Sequence, residues 1–137
     1  MPSIMKRARE DTSLHDRVES LAQAIRDKNI DAVMTHYAPD VVVYDVMSTQ
    51  QVQGVAEYRK NFEKWFASIQ GPIDYEMNDL RISMGENHAF CHCQSHIRGR
   101  KPNGEAADYR ARVTACFQKA NGQWLVSHEH VSVPMKM

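Results

Sequence analysis

The stretch NGQWLVSHEHVSVP, Asn121 to Pro134, decides how this chain is read. Asn-Gly is a strong hairpin signal, and the run behind it has strand character up to the proline. Successive side chains of a strand point to opposite faces, so His128 and His130 share one face and Glu129 takes the other. The hairpin register decides which of them meets the core. If Lys119 pairs with Gln123 across a three-residue loop with Gly122 left-handed, then Ala111, Val113, Ala115, Phe117, Leu125, Ser127, Glu129 and Val131 share a face. Arg110, Arg112, Thr114, Trp124, Val126, His128, His130 and Ser132 then take the opposite one. A two-residue turn would slip this by one and set Glu129 beside Arg112 and Thr114. The first register is preferred because it separates apolar from polar residues. It also agrees with the preceding strand, where Ala89, Cys91, Cys93 and Ile97 alternate with His88, His92, Gln94, His96 and Arg98.

Upstream of this hairpin the period of two continues back to Ile73. Ile73, Tyr75 and Met77 occupy one parity and Leu80, Ile82 and Met84 the other, which predicts a β-bulge near Asn78-Asp79. Gly85-Glu86-Asn87 turns the chain into a strand over 88–98, and a longer loop leads to another over 106–119. Earlier still the period is helical. Leu14, Val18, Leu21, Ala22 and Ile25 predict a helix opened by a capping box at Ser13 and Asp16. A short second helix carries Ile30, Val33, Met34 and Tyr37 and closes at Ala38, before Pro39. Val41–Tyr44 is a β-branched strand. Gly54 precedes a third helix with a stripe of Val55, Tyr58, Phe62, Trp65, Phe66 and Ile69, ended by Gly71-Pro72. Packing three helices on one bent antiparallel sheet predicts an α+β half-cone, with helices on the concave side and a cavity where the cone widens.

Composition bounds the function. The chain has 137 residues, 42% hydrophobic and 25% charged, with zero formal net charge. One domain is expected, over 13–134, with 1–12 a flexible arm and 135–137 a tail. Neutrality argues against nucleic acid or an acidic membrane as partner. The basic run Arg98–Lys101 reads as a solvated hairpin tip because Pro102-Asn103-Gly104 follows it. No signal-like or membrane-spanning run is evident, and three cysteines without a CxxC fit a cytoplasmic setting. His128 and His130 could both reach one ion with His92 as a third ligand. An HxH pair alone is a weak signal, and neither metal nor any other cofactor is expected.

Tyr37–Asp45, the Gly54 helix start, Gly71–Glu76 and Asn121–Pro134 together resemble the SnoaL-like branch of the nuclear transport factor 2-like superfamily. The resemblance covers about residues 13–134. It implies a half-cone (α+β barrel) of three N-terminal helices on a bent, mainly antiparallel sheet enclosing a cavity. Activity varies across that superfamily, from isomerases, cyclases and dehydratases to silent association domains. Asp45 matches the general-base position of ketosteroid isomerases, whereas Leu21 and Thr114 stand where their oxyanion tyrosine and neutral acid would be. The last hairpin is similar to that of calcium/calmodulin-dependent kinase association domains, with Ala115 and Val131 in place of anion-binding arginines.

The functional expectation follows from Glu129. A carboxyl on an apolar wall is costly unless paired or neutralised, and its pKa tends to rise. Glu129 and Asp45 are the candidate acid and base, Glu129 protonated and Asp45 ionised, acting on an apolar carbonyl-bearing small molecule. Tyr44, Tyr75, Tyr109, Val113, Val131, Trp65 and Phe66 are the expected ligand contacts. The alternative is a non-catalytic ligand-binding or association module. In either case a homodimer is expected through the convex face, using His88, His92, Arg112, Trp124, His128 and His130 along with Val126.

Overall fold

The structure is a computed structural model that describes residues 4–135, with side chains described from Ser13 onward. Three helices, α1 (Ile4–Arg26), α2 (Ile30–Met34) and α3 (Val55–Ala67), pack on one six-stranded sheet. Its strands are β1 (Tyr37–Tyr44), β2 (Val52–Gln53), β3 (Gln70–Met84), β4 (His88–Arg100), β5 (Ala106–Ala120) and β6 (Gln123–Ser132). They lie in the order β2-β1-β6-β5-β4-β3, antiparallel except where β1 runs parallel to β6. The sheet stays open, and the fold is the α+β half-cone.

Several elements depart from the sequence reading. The first helix starts at Ile4, so Ser13 lies inside it rather than capping it; a polar segment rich in Lys, Arg and Glu is a good helix former without any apolar period. The second helix stops at Met34, where the Thr35 and His36 N–H groups bond back to Ala32 and Val33. Tyr37 is therefore a strand residue, and β1 begins four residues before Val41. Its pairing with β6 slips between Tyr37 and Val42, around Pro39, which has no N–H to give. The short β2 was not expected.

The bulge near Asn78-Asp79 is present. Register shifts between Asn78 and Arg81, and Asp79 takes φ 56. One extra residue returns Leu80 to the wall that already holds Tyr75 and Met77, so the strand bends without losing its inner face.

The last hairpin reaches the expected face by a different route. Its loop has two residues, Asn121 (φ 50) and Gly122 (φ 76), with Ala120 opposite Gln123. Positive φ at both positions is what a tight hairpin turn demands of Asn-Gly. Glu129 would then face outward, but a β-bulge at Ser127 moves the register by one. Phe117 pairs with Val126, whereas Cys116 pairs with His128 and Ala115 with Glu129. The Ser127 hydroxyl donates to the Cys116 carbonyl at 3.3 Å and ties the bulge down. Glu129 thus joins Ala111, Val113 and Ala115 on the concave face.

On the turn side of that bulge the alternation runs the other way. Trp124 and Val126, expected on the convex face, belong to the core at 1% and 0% exposure. Leu125, expected on the concave face, takes the alternate side. The basic tip behaves as a turn: Lys101 N–H bonds to Glu105, and Arg98 pairs with Asp74 at 3.1 Å and Glu76 at 3.4 Å.

Candidate functional site

Between the helices and the concave face lies a cavity of about 370 Å³. Its wall is mainly aliphatic and aromatic, and two carboxyl groups, Glu129 and Asp45, open onto it. Among the described residues its lining holds no Lys, Arg or His.

Glu129 sits deep, 5% exposed. The Tyr37 hydroxyl lies 3.2 Å from each of its carboxyl oxygens, and the Tyr58 hydroxyl makes a short hydrogen bond to Oε1. Tyr37 comes from β1, whose Val43 pairs with Glu129, and Tyr58 comes from the buried stripe of α3. The two rings meet edge to face at 5.1 Å between centroids, which fixes both hydroxyls. Gly54 sets the stripe: at φ 90 it turns the chain into α3, its N–H bonding to Val41 and its carbonyl accepting from Tyr58 N–H.

Asp45 follows β1 at the cavity mouth, half-buried. One helical turn past Tyr58, the Asn61 amide donates to Asp45 Oδ2 at 2.8 Å and lies 3.0 Å from Ser48 Oγ. One face of α3 therefore holds both carboxyls, through residues three apart.

The electrostatics split the groups of this site. Burial pushes the Glu129 carboxyl up to about 7; the Tyr58 and Tyr37 hydrogen bonds pull the other way, and the nearby Asp45 charge adds to the rise. Burial, followed by the Glu129 charge, also drives Tyr37 and Tyr58 well above the ordinary phenol range. Cys91 and Cys93 line the wall, and burial raises both, Cys91 to about 12. They are thiols rather than thiolates, which removes them as nucleophiles.

A pH dependence of stability follows. Folding raises Glu129 from its ordinary 4.5 to about 7, so between those values the native state binds the extra proton. Its stabilising effect is complete below about pH 4.5 and is lost as pH rises through about 7, on the order of 3 kcal/mol in all. Buried His36, whose pKa is lowered chiefly by burial, acts in the opposite sense and is common to wild type and variant. In urea unfolding at pH 5 and pH 8, wild type should lose more stability than Glu129→Gln. Equal losses would mean that the carboxyl is not raised.

The expected contacts divide. Tyr75, Tyr109, Val113, Val131 and Trp65 line the cavity. Tyr44 does not: it is half-exposed on the convex face, edge-on to His128 and His130 at 5.0 and 5.5 Å. The parity of β1 sends it outward once Val43 points in. Phe66 is buried behind the lining, against Phe62 and Trp65. Thr114 faces out too, whereas Leu21, Ala115 and Val131 lie on the wall, so an oxyanion tyrosine and an anion-binding arginine are both missing there.

Of the convex set, His88, His92, Arg112 and His130 are exposed, and His128 donates from Nδ1 to the Val42 carbonyl at 2.7 Å. Among the described residues no cluster of His, Cys, Asp or Glu is arranged to hold a metal ion. Sequence reasoning missed Tyr37 and Tyr58 as partners of Glu129, and Asn61 altogether. The available signal was Asn61 itself, a polar residue inside an apolar helical stripe.

The fold is an open α+β cone whose apolar cavity holds one buried carboxyl, Glu129, and one half-buried carboxyl, Asp45, at its mouth. The chain belongs to the SnoaL-like domain family, which matches residues 15–136. It is similar to a nuclear transport factor 2-like protein of unknown function from Pseudomonas putida KT2440, at 26% identity and TM-score 0.84 over 95% of this chain and 90% of that one. A provisionally assigned dehydratase of the same fold family from Streptomyces avermitilis gives 13% identity and TM-score 0.81 over 94% and 99%. A provisionally assigned calcium/calmodulin-dependent protein kinase II association domain from Xanthomonas campestris gives 23% and 0.73 over 95% and 89%. Among proteins of curated function, none matches the sequence.

Proposed function

We propose that this protein is a cofactor-independent acid/base enzyme, an isomerase, cyclase or dehydratase, acting on an apolar carbonyl-bearing small molecule. The observation that carries this is the pair of carboxyls in one apolar cavity, Glu129 buried beneath two phenols and Asp45 at the mouth on Asn61. A buried carboxyl in an otherwise apolar wall costs stability, which a plain packing role does not require. Asp45 takes a proton from the carbon beside the substrate carbonyl. The electrons move onto the carbonyl oxygen, and protonated Glu129, backed by Tyr37 and Tyr58, donates a hydrogen bond to it. A protein of the same fold provisionally assigned as a dehydratase is in keeping with this reading.

The test uses β-tetralone, a bicyclic ketone, in deuterium oxide. Wild-type protein should catalyse deuterium uptake beside the carbonyl, followed by NMR. Uptake no faster than with heat-denatured protein, across a panel of neutral cyclic ketones, would leave a binding module instead.

The second reading concerns assembly, favoured by the likeness to an association domain. A homodimer would form through the convex face, with His88, His92, Arg112, His128 and His130 around exposed Tyr44 and Phe90. Those two aromatics take over the anchoring role expected of Trp124. Light scattering at micromolar concentration should report a dimer that Phe90→Glu converts to a folded monomer; a wild-type monomer would refute it. Cytoplasmic placement suits the three free cysteines. Among the described residues no helix is long and apolar enough to cross a membrane.

A further inference from the structure

Away from Glu129 the cavity wall carries a second group of polar atoms that the acid/base chemistry does not use. Ser95 on β4 is 1% exposed, and its hydroxyl donates to Tyr75 Oη on β3 at 2.8 Å. The Cys93 thiol stands 3.7 Å from the same hydroxyl. All three side chains line the cavity. The inner faces of β3 and β4 bring them together, since Tyr75 pairs with Ile97 and Met77 with Ser95.

The hydrogen count is uneven. Two hydroxyls and a thiol have three protons between them, and the group has two internal hydrogen bonds. With Ser95 donating to Tyr75, the phenol proton has no acceptor at hydrogen-bond distance among the described residues. Buried donors are ordinarily satisfied, so a free one facing a cavity marks where a ligand acceptor belongs.

Register places this group apart from the acid site. Ser95 pairs with Ala111 and Glu129 with Ala115, on opposite sides of β5. That is four residues along the strand, about 14 Å, and two strand spacings across, about 10 Å. Those are backbone separations; the Tyr75 phenol reaches far enough inward to feel the Glu129 charge, so the two groups face each other across one cavity. The charge inventory adds a sign: among the described residues the lining has two carboxyls and no cation, so an anionic ligand would enter an uncompensated, repulsive site.

We propose that Ser95 and Tyr75 form a second hydrogen-bonding pole, which selects neutral, largely apolar ligands with an acceptor at the end remote from Glu129. This rests on the reading of the cavity as a substrate site and adds the class of molecule it admits. Tyr75 is a specificity residue here and takes no part in proton transfer.

The probes are β-tetralone, 6-methoxy-β-tetralone and the 6-carboxylate of the same ketone. Binding is read from tryptophan fluorescence, since Trp65 lines the cavity. Wild type should bind the methoxy compound about five- to tenfold tighter than the parent, the worth of one neutral hydrogen bond. Tyr75→Phe should abolish that preference while leaving β-tetralone affinity within about twofold, and Ser95→Ala should reduce it. The carboxylate should bind at least about thirtyfold more weakly than the methoxy compound. An unchanged methoxy preference in Tyr75→Phe, or a carboxylate that binds as tightly as the neutral probes, overturns the proposal. So does a wild-type protein that binds none of them. Deuterium uptake by the same bound ketone separates the two readings. Preference intact without exchange removes the acid/base reading alone, and exchange with preference unaffected by Tyr75→Phe removes the second pole alone.

Discussion

Asp45→Asn is expected to lower deuterium uptake into β-tetralone by at least about a hundredfold, the lower end of what a positioned general base contributes. Ligand affinity should change little, because asparagine keeps the size of the side chain and an oxygen that can still accept from Asn61. Glu129 should respond in two grades. Glutamine retains a hydrogen-bond donor at the buried position, and alanine retains none. Glu129→Gln should therefore keep more activity than Glu129→Ala, and should lose the dependence of rate on a group titrating near 7. The alanine variant also leaves the Tyr37 and Tyr58 hydroxyls without their acceptor. Wild-type exchange in Asp45→Asn would remove the base from the mechanism. Equal activity in the two Glu129 variants would remove its donor role.

The second large effect concerns Trp124, and here structure and sequence make opposite forecasts. On a convex interface, Trp124→Glu would give a soluble, folded monomer. The structure encloses the indole at 1% exposure, between the core and the Lys119 ammonium 5.5 Å above its ring. A glutamate there would carry a charge into the core with only the Lys119 ammonium beside it and would leave most of the indole volume empty, so Trp124→Glu should be more destabilised than Trp124→Ala. Trp124→Ala should cost about 3–5 kcal/mol, the range for emptying a large aromatic site. Trp124→Phe should cost much less than the alanine variant. It leaves a smaller gap and also removes a buried indole N–H that has no partner among the described residues. Urea unfolding of the three variants is the measurement. A folded, monomeric Trp124→Glu protein more stable than Trp124→Ala would return the residue to the surface.

What the sequence by itself determined is what local periodicity and turn chemistry can specify. The helical spacing of Leu14 to Ile25 and of Val55 to Ile69, and the alternation from Ile73 onward, specified helices and strands in the observed order. The parity change at Asn78-Asp79 marked a bulge, because alternation fails wherever one residue is added to a strand. Neighbouring residues carry that information, so a single chain displays it. The tertiary structure decided which elements meet and which face is inner. Nothing local to Ser127 announces the bulge that turns Glu129 inward, since its reason lies across the sheet in the Cys116 carbonyl and the packing of Trp124 and Val126. Tyr37, Tyr58 and Glu129 lie 92 and 71 residues apart in pairs, and only the parallel contact of β1 with β6 and the seat of α3 bring them to one carboxyl. Parity names the residues that share a face; which of them touch is settled by contacts distant in sequence, and the acid site is made of such contacts.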